Sequence, residues 1–169
     1  MKAWLNAMNP AAAIEGEAQA LRAARASAIS IIIGVIVGVV SAVWSFMHMD
    51  SLVARAMAQA EASQAATMQA GVQAGLWIGV ALTVVQVVFA VVQWRDPKRF
   101  IAILFLVLIA LGGIMTLAGV VMAGSMNMPA TPIWEIGLTV VILIVQAVLH
   151  VAGLRGIDRL DAIQMAAAR

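Results

Sequence analysis

Cysteine is absent from this 169-residue chain, and charged residues make up only 11% of it. Without cysteine there can be no disulfide, no thiolate metal site, no cysteine-ligated iron–sulfur cluster and no cysteine nucleophile. The low charge accompanies a hydrophobic content of 64% and a mean hydropathy of +1.03. A water-soluble domain of this size would have to expose large apolar patches. The composition therefore predicts an integral membrane protein.

Charge is also absent from the middle of the apolar segments. The first uncharged run, 26–49, is long enough to cross the roughly 30 Å of hydrocarbon in a bilayer. The run 100–134 is too long for one span and is broken by the Gly- and Pro-rich segment 124–132, which is typical of an outer loop. The sequence predicts an all-α bundle of four transmembrane helices, arranged as two antiparallel hairpins, at 29–47, 72–93, 100–123 and 133–154.

The remaining segments flank or join these spans within a single membrane domain, 1–169. The amino-terminal segment 1–27 is predicted to be amphipathic, with a helix that begins at Asn9-Pro10, an N-cap followed by proline at the first helical position. The segment 48–70 is predicted to be a polar helix or loop that lies on the membrane or extends the second span. A basic loop at 94–99 follows, and the tail 155–169 is predicted to be a short amphipathic helix.

The basic residues predict the orientation. With both termini in the cytoplasm, nine of the ten Lys and Arg residues lie on the inner side, and Arg55 alone lies outside. The inner residues are Lys2, Arg22, Arg25, Arg95, Lys98, Arg99, Arg155, Arg159 and Arg169. Because the chain is compact, Ala-rich and without cysteine, we expect it in a bacterial inner membrane.

Small residues recur every fourth position on the first two spans. Such ridges let helix backbones approach closely in lipid. They are predicted either to pack the two helices of one hairpin or to form a glycine-zipper seam between subunits. Gly112 and Gly113 are a further close-contact point in the third span. The ridges comprise Ser30, Gly34, Gly38 and Ala42 on the first span, and Gly71, Gly75, Gly79 and Thr83 on the second.

A few uncharged polar side chains lie at membrane depth, namely Gln86, Gln93, Gln146 and His150. A hydrogen bond between Gln86 and Gln146 would stabilise packing, and the alternative is that both amides bind a solute. His150 is expected to bond to a neighbouring helix; a proton relay, haem ligand or metal ligand is the alternative. We expect no metal or cofactor, since a lone His makes a poor metal site.

Catalytic chemistry has little support in the sequence, and we expect no enzyme. Ser41, Ser45 and His48 share one helix face, but no orienting carboxylate or oxyanion hole is indicated. The sequence also has no phosphate-binding or dinucleotide-binding glycine pattern. The absence of Asp, Glu, Lys and Arg from the central part of every predicted span disfavours proton-coupled transporters and voltage sensors.

The predicted function is that of an accessory, assembly or scaffold subunit, which associates with itself or another membrane protein through its small-residue faces. The alternative is a small channel or carrier for a small solute, with Gln86, Gln146 and His150 lining a polar path. The basic residues lie beside spans, so lipid is a better partner for them than nucleic acid. In the loop, the residues expected to contact lipid headgroups or a partner are Arg95, Lys98 and Arg99.

Overall fold

A computed structural model describes residues 2–58, 65–125 and 132–168, and within these ranges the chain forms seven α-helices. They are α1 Lys2–Met8, α2 Glu17–Ala24, α3 Ala26–Met47, α4 Met49–Ala58, α5 Ala65–Arg95, α6 Arg99–Ser125 and α7 Ile133–Ala167.

Four of these helices contain stretches that are long and apolar enough to cross a membrane: α3 (continuing from α2), α5, α6 and α7. Many large apolar side chains on them face outward, such as Trp77 (62% exposed) and Ile114 (59%). Lipid leaves backbone groups no partner outside the helix, so long uninterrupted helices are the expected form of such segments. The prediction of an all-α chain with four apolar helices is confirmed.

The outer segments are described only in part. Helix α4 covers the beginning of the predicted segment 48–70, and α5 begins at Ala65, so that residues 65–70 continue the second long helix. Residues 59–64 lie outside the described residues, as do 126–131 in the predicted loop 124–132.

Helix α7 does not end where the predicted fourth span ends. It continues without interruption from Leu154 to Ala167, so the predicted tail helix is the last part of α7 rather than a separate element. Gly153 and Gly156 lie inside it and are buried. A glycine lowers helix propensity by about 1 kcal/mol, so we attribute the continuity of α7 here to packing against its neighbours.

The amino-terminal helix does not begin at Asn9-Pro10, and that expectation was wrong. The Asn9 Oδ1 atom accepts the N–H of Ala11 at 2.9 Å, and the Asn9 carbonyl accepts the N–H of Ala12 at 3.1 Å. Asn9 therefore closes a local turn instead of capping a helix, a competition typical of asparagine. Helix α1 ends before this turn, and α2 begins at Glu17.

Helices α2 and α3 are nearly continuous. Only Arg25 separates them, and its backbone is helical (φ −70°, ψ −12°). The Arg25 N–H donates to the Leu21 carbonyl at 3.0 Å, and the Ile29 N–H donates to the Arg25 carbonyl at 3.1 Å. Helical hydrogen bonding thus passes through the junction.

The chain divides into two compact units. The first unit comprises Met1–Ile31 and Phe89–Arg169, and the second comprises Ile32–Val88. The first unit contains two small apolar clusters. One is built from Ile31, Ala90, Ile101 and Phe105, with Phe89 packed against them, and the other from Ala24, Ala102 and Ile157, with Leu154 packed against them.

Candidate functional site

In the first unit, α2 and the start of α3 cross α7 at very short range, at two glycines of α7. A Cβ atom on Gly153 would lie 2.6 Å from Ser27 Cβ and 2.9 Å from the Ser27 backbone nitrogen. A Cβ atom on Gly156 would overlap the backbone of Ala23 and Ala24, with the Ala23 carbonyl carbon 2.5 Å away. The helix backbones are therefore in direct contact, which requires residues without a Cβ on the α7 side.

The residues that these two glycines meet are small as well, and each is at most 1% exposed, so the crossing excludes solvent. They are Ala20, Ala23, Ala24 and Ser27.

Ser27 also begins a chain of hydrogen bonds that leads to the basic loop. Its hydroxyl donates to the Ala24 carbonyl at 2.8 Å and accepts from Gln93 Nε2 at 2.7 Å. Gln93 Oε1 in turn accepts the backbone N–H of Lys98 at 2.9 Å. Gln93 is fully buried, and a buried amide needs such partners because burying it unpaired is costly. Gln93 links α3, the end of α5 and the loop.

Ser30 and Gln146 join α3 to α7 by a reciprocal pair of bonds. The Ser30 hydroxyl donates to the Gln146 carbonyl at 3.0 Å, and Gln146 Nε2 donates to the Ser30 carbonyl at 3.2 Å. The amide of Gln146 is thus engaged with the backbone of a neighbouring helix. Hydrogen bonds between membrane helices contribute about 0.6–2 kcal/mol each.

His150 is completely buried in α7. Its ring lies nearly parallel to that of Phe105, with 5.8 Å between the centroids and 18° between the planes. Neither ring nitrogen has a hydrogen-bond partner among the residues that the structure describes. The predicted bond to a neighbouring helix is therefore not made there, and an aromatic contact takes its place. An imidazole always carries at least one N–H, so the described residues leave at least one donor of this buried group unsatisfied.

The basic loop is fastened to the amino-terminal segment through Trp94. Arg25 Nε donates to the Trp94 carbonyl at 3.2 Å, and the guanidinium carbon lies 5.3 Å from the centre of the Trp94 ring. The Trp4 ring stacks on Trp94 at 6.1 Å, with 11° between the planes. Cation–π and stacking contacts of this kind contribute roughly 0.5–1.5 kcal/mol each. They hold α1 against the end of α5.

The predicted loop 94–99 is shorter in the structure, since Arg95 is the last residue of α5 and Arg99 the first residue of α6, with Lys98 between them. Lys98 Nζ lies 2.6 Å from a carboxylate oxygen of Asp96, and Arg99 lies 3.2 Å from Asp158 on α7. Arg95 makes neither an ion pair nor a hydrogen bond within the described part of the chain, apart from the helical bonds of its backbone. Both ion pairs are exposed and contribute little to stability.

The second unit contains the ridges that the sequence predicts on the first two spans, except for Ser30, which lies in the first unit. A Cβ atom on Gly38 would lie 3.3 Å from Thr83 Cγ2, so α3 and α5 touch at this point. The Thr83 hydroxyl donates back to the Gly79 carbonyl at 2.9 Å. By contrast, a Cβ atom on Gly71, Gly75 or Gly79 would have nothing within 4 Å. Most of the α5 ridge therefore has no helix packed on it within the described residues.

A cavity of about 270 Å³ lies along these ridges. Its lining includes small residues of both helices and two hydroxyls of α3. They are Gly38, Ser41, Ala42, Ser45, Gly75 and Gly79.

The remaining predicted residues lie at less enclosed positions. Gly112 and Gly113 face Leu143 of α7 at 3.8 and 4.0 Å, an ordinary contact rather than a backbone approach. Gly34 is half-buried in α3. Gln86 is half-buried in α5, and its Oε1 atom is enclosed with no hydrogen-bond partner among the described residues.

Sequence reasoning missed Gly153, Gly156 and Ser27. The available signal was the pattern of small residues Gly153-x-x-Gly156 on α7 facing Ala20-x-x-Ala23 and Ala24-x-x-Ser27. Its spacing of three residues differs from the spacing of four in the ridges of the first two spans. The described residues assemble no group of three or more His, Asp or Glu side chains that could hold a metal ion.

No protein-family model, curated protein or solved structure matches this chain.

The crossing of α2 with α7 predicts the effect of adding one methyl group. Gly156→Ala should destabilise the protein by about 1–3 kcal/mol or more, because the new Cβ meets backbone atoms that cannot move aside. Gly119→Ala is the matched control, since a Cβ there meets nothing within 4 Å. Thermal unfolding in detergent, followed by loss of the monodisperse chromatographic peak, measures the difference. Equal melting temperatures for the two variants would contradict the described crossing.

Proposed function

We propose that this chain is a non-enzymatic subunit of a membrane assembly, where it acts as an accessory, assembly or scaffold protein. It associates with a second copy of itself or with another membrane protein through small-residue helix faces. The observation that carries the proposal is the open glycine face of α5, formed by Gly71, Gly75 and Gly79.

The contrast between two sets of glycines supports this function. The space beside Gly153 and Gly156 is occupied by the helices α2 and α3, so no further helix can bind there. Gly75 and Gly79 line a cavity that is open to the surroundings, with Gly38 and Ala42 on α3. In lipid, helices associate through close packing and not through a hydrophobic drive, so such an accessible small-residue groove favours docking of another helix. The contact of Gly38 with Thr83 packs part of the two ridges within the hairpin, and we propose the remaining open groove as the seam between subunits.

The surroundings of His48 support a non-enzymatic role. Its Nδ1 atom lies 2.9 Å from the Trp44 carbonyl oxygen, and its ring stacks on Trp44 at 4.5 Å. That nitrogen is engaged with the backbone of Trp44 rather than with the hydroxyl of Ser41 or Ser45. A nucleophilic serine would need a base that is itself oriented by a third group.

The proposal includes an orientation with both termini in the cytoplasm, most consistent with a bacterial inner membrane. Nine of the ten Lys and Arg residues then lie on the cytoplasmic side, as the positive-inside rule requires. The four spans form two antiparallel hairpins, and the basic loop 94–99 joins them on the inner side.

The glycine face can be tested by filling it. In vesicles that contain donor- and acceptor-labelled copies, Gly75→Leu with Gly79→Leu should reduce self-association by about tenfold, because the side chains hold the partner helix away. Gly119→Leu with Gly137→Leu is the control, since both positions also face open space. Energy transfer over a range of protein-to-lipid ratios measures the association. Wild-type protein that shows only random energy transfer, and with which no membrane protein copurifies, would contradict the proposal.

The orientation can be tested directly because the chain has no cysteine. A cysteine introduced at Asp50 should react with a membrane-impermeant maleimide in intact cells, and one at Asp96 should react only after lysis. Changing Arg95, Lys98 and Arg99 together to Gln should produce a mixture of both patterns, since the positive-inside signal is weakened. Labelling at Asp96 in intact wild-type cells would contradict the orientation.

A second candidate function, a small channel or carrier, is favoured by one observation. The Gln86 Oε1 atom and both ring nitrogens of His150 are enclosed without partners among the described residues. Polar groups left unsatisfied at membrane depth are characteristic of solute pathways. Gln146, the third residue of that predicted path, is engaged with Ser30.

The two functions differ in the permeability they predict. If the scaffold proposal is right, vesicles that contain the protein should be no more permeable to water and small neutral solutes than empty vesicles, as measured by stopped-flow light scattering. Excess permeability that Gln86→Leu or His150→Phe abolishes, while the exposed control Gln73→Leu retains it, would favour the channel instead.

A further inference from the structure

Two arginines lie one turn apart on the last part of α7. Arg155 and Arg159 line an open cavity of about 400 Å³ together with Ile14, Asp158 and Ala162. Residues four apart share one face of a helix, so both guanidinium groups border the same space. The cavity begins just beyond Leu154, where the predicted fourth span ends.

The charge of this cavity is positive. Among the described lining residues the one carboxylate is that of Asp158, which is paired with Arg99 at 3.2 Å. Arg155 Nη2 donates one hydrogen bond to the Ala12 carbonyl oxygen, at 3.5 Å. Within the described residues Arg159 forms no ion pair and its side chain no hydrogen bond. Several guanidinium N–H donors therefore remain free, and guanidinium is the side chain best suited to bind phosphate through paired hydrogen bonds.

An apolar stripe leads away from the arginines along the same face of α7. Val151 lies four residues before Arg155, and Val148 and Ile144 continue the stripe at helical spacing. All three are exposed, Val151 and Val148 by 42% and Ile144 by 57%. A free phosphate ion would make no use of this stripe, whereas an acyl chain would cover it.

We infer that the cavity of Arg155 and Arg159 binds the phosphate of an anionic phospholipid, whose acyl chain lies along Val151, Val148 and Ile144. The guanidinium groups bind the headgroup phosphate, and Ile14 covers the glycerol region. This site is on α7 and does not depend on the glycine face of α5, so it stands or falls separately from the proposed scaffold function.

The test counts lipids that remain bound to the protein in native mass spectrometry. Full-length protein in an uncharged detergent is titrated with phosphatidylglycerol and, separately, with phosphatidylcholine of the same chain length. The first phosphatidylglycerol molecule should bind more tightly than the phosphatidylglycerol molecules that bind after it. It should also bind more tightly than phosphatidylcholine. Arg155→Gln with Arg159→Gln should weaken that first binding by about tenfold or more, since each basic residue contributes about a fivefold change.

Arg159→Gln alone tests lipid binding in a variant that we expect to fold normally, because the Arg159 side chain forms no hydrogen bond within the described residues. It should weaken binding several-fold while the helical circular-dichroism spectrum stays unchanged. Lys2→Gln is the matched control for Arg159→Gln, since it also removes one positive charge but Lys2 is not among the lining residues of the cavity. It should leave the first binding intact.

Two results would overturn the inference. Equal losses in the control and in the arginine variants would mean that the lipid responds to overall charge and not to this cavity. Displacement of phosphatidylglycerol by millimolar glycerol phosphate would mean that the cavity takes a soluble phosphate, with no contribution from the apolar stripe.

Discussion

The first unit depends on the contact between the backbones of α2 and α7 at Gly153 and Gly156. Because no Cβ separates the helices there, dispersion contacts form between main-chain atoms, and the facing alanines and Ser27 are almost completely buried. This approach also places Ser27 where its hydroxyl can accept from Gln93. The polar contacts thus depend on the packing of small residues, because a larger residue at either glycine would separate the groups that form the hydrogen bonds.

The polar side chains of this unit act mainly as helix-to-helix bonds. Gln93 and Gln146 each satisfy part of their amide through a serine of α3 or its backbone. Lipid would leave these amides without partners, so each bond avoids a desolvation cost of about 1–3 kcal/mol in addition to its modest direct contribution. His150 is the exception, since it lies against Phe105 with its nitrogens unpaired among the described residues. Burial of its unpaired ring nitrogens lowers stability, so packing alone does not explain why a histidine stands at this position.

The sequence alone was enough to predict the helical class and the four apolar helices, because hydrocarbon thickness and the cost of unpaired backbone groups dictate both. It was less informative about where helices begin. Asn9 and Pro10 have the composition of a helix start, but the Asn9 side chain bonds to Ala11 instead. The end of α7 was not predicted either. The segment after Leu154 is charged and contains Gly156, yet it continues the helix because Gly156 is packed against α2. The spacing of small residues indicates which glycines can be enclosed, but the partner helix decides which of them are.

The bond between Gln93 and Lys98 makes the start of α6 depend on the end of α5. Lys98 precedes the first residue of α6, and its N–H is held by a side chain from the last turn of α5. One helix therefore supplies the cap of the next, and the turn between them is closed by a bond that neither helix can make alone. If the last turn of α5 were to unwind, Gln93 would move and the Lys98 N–H would lose this partner. The end of α5 and the start of α6 are therefore coupled, and order in one supports order in the other.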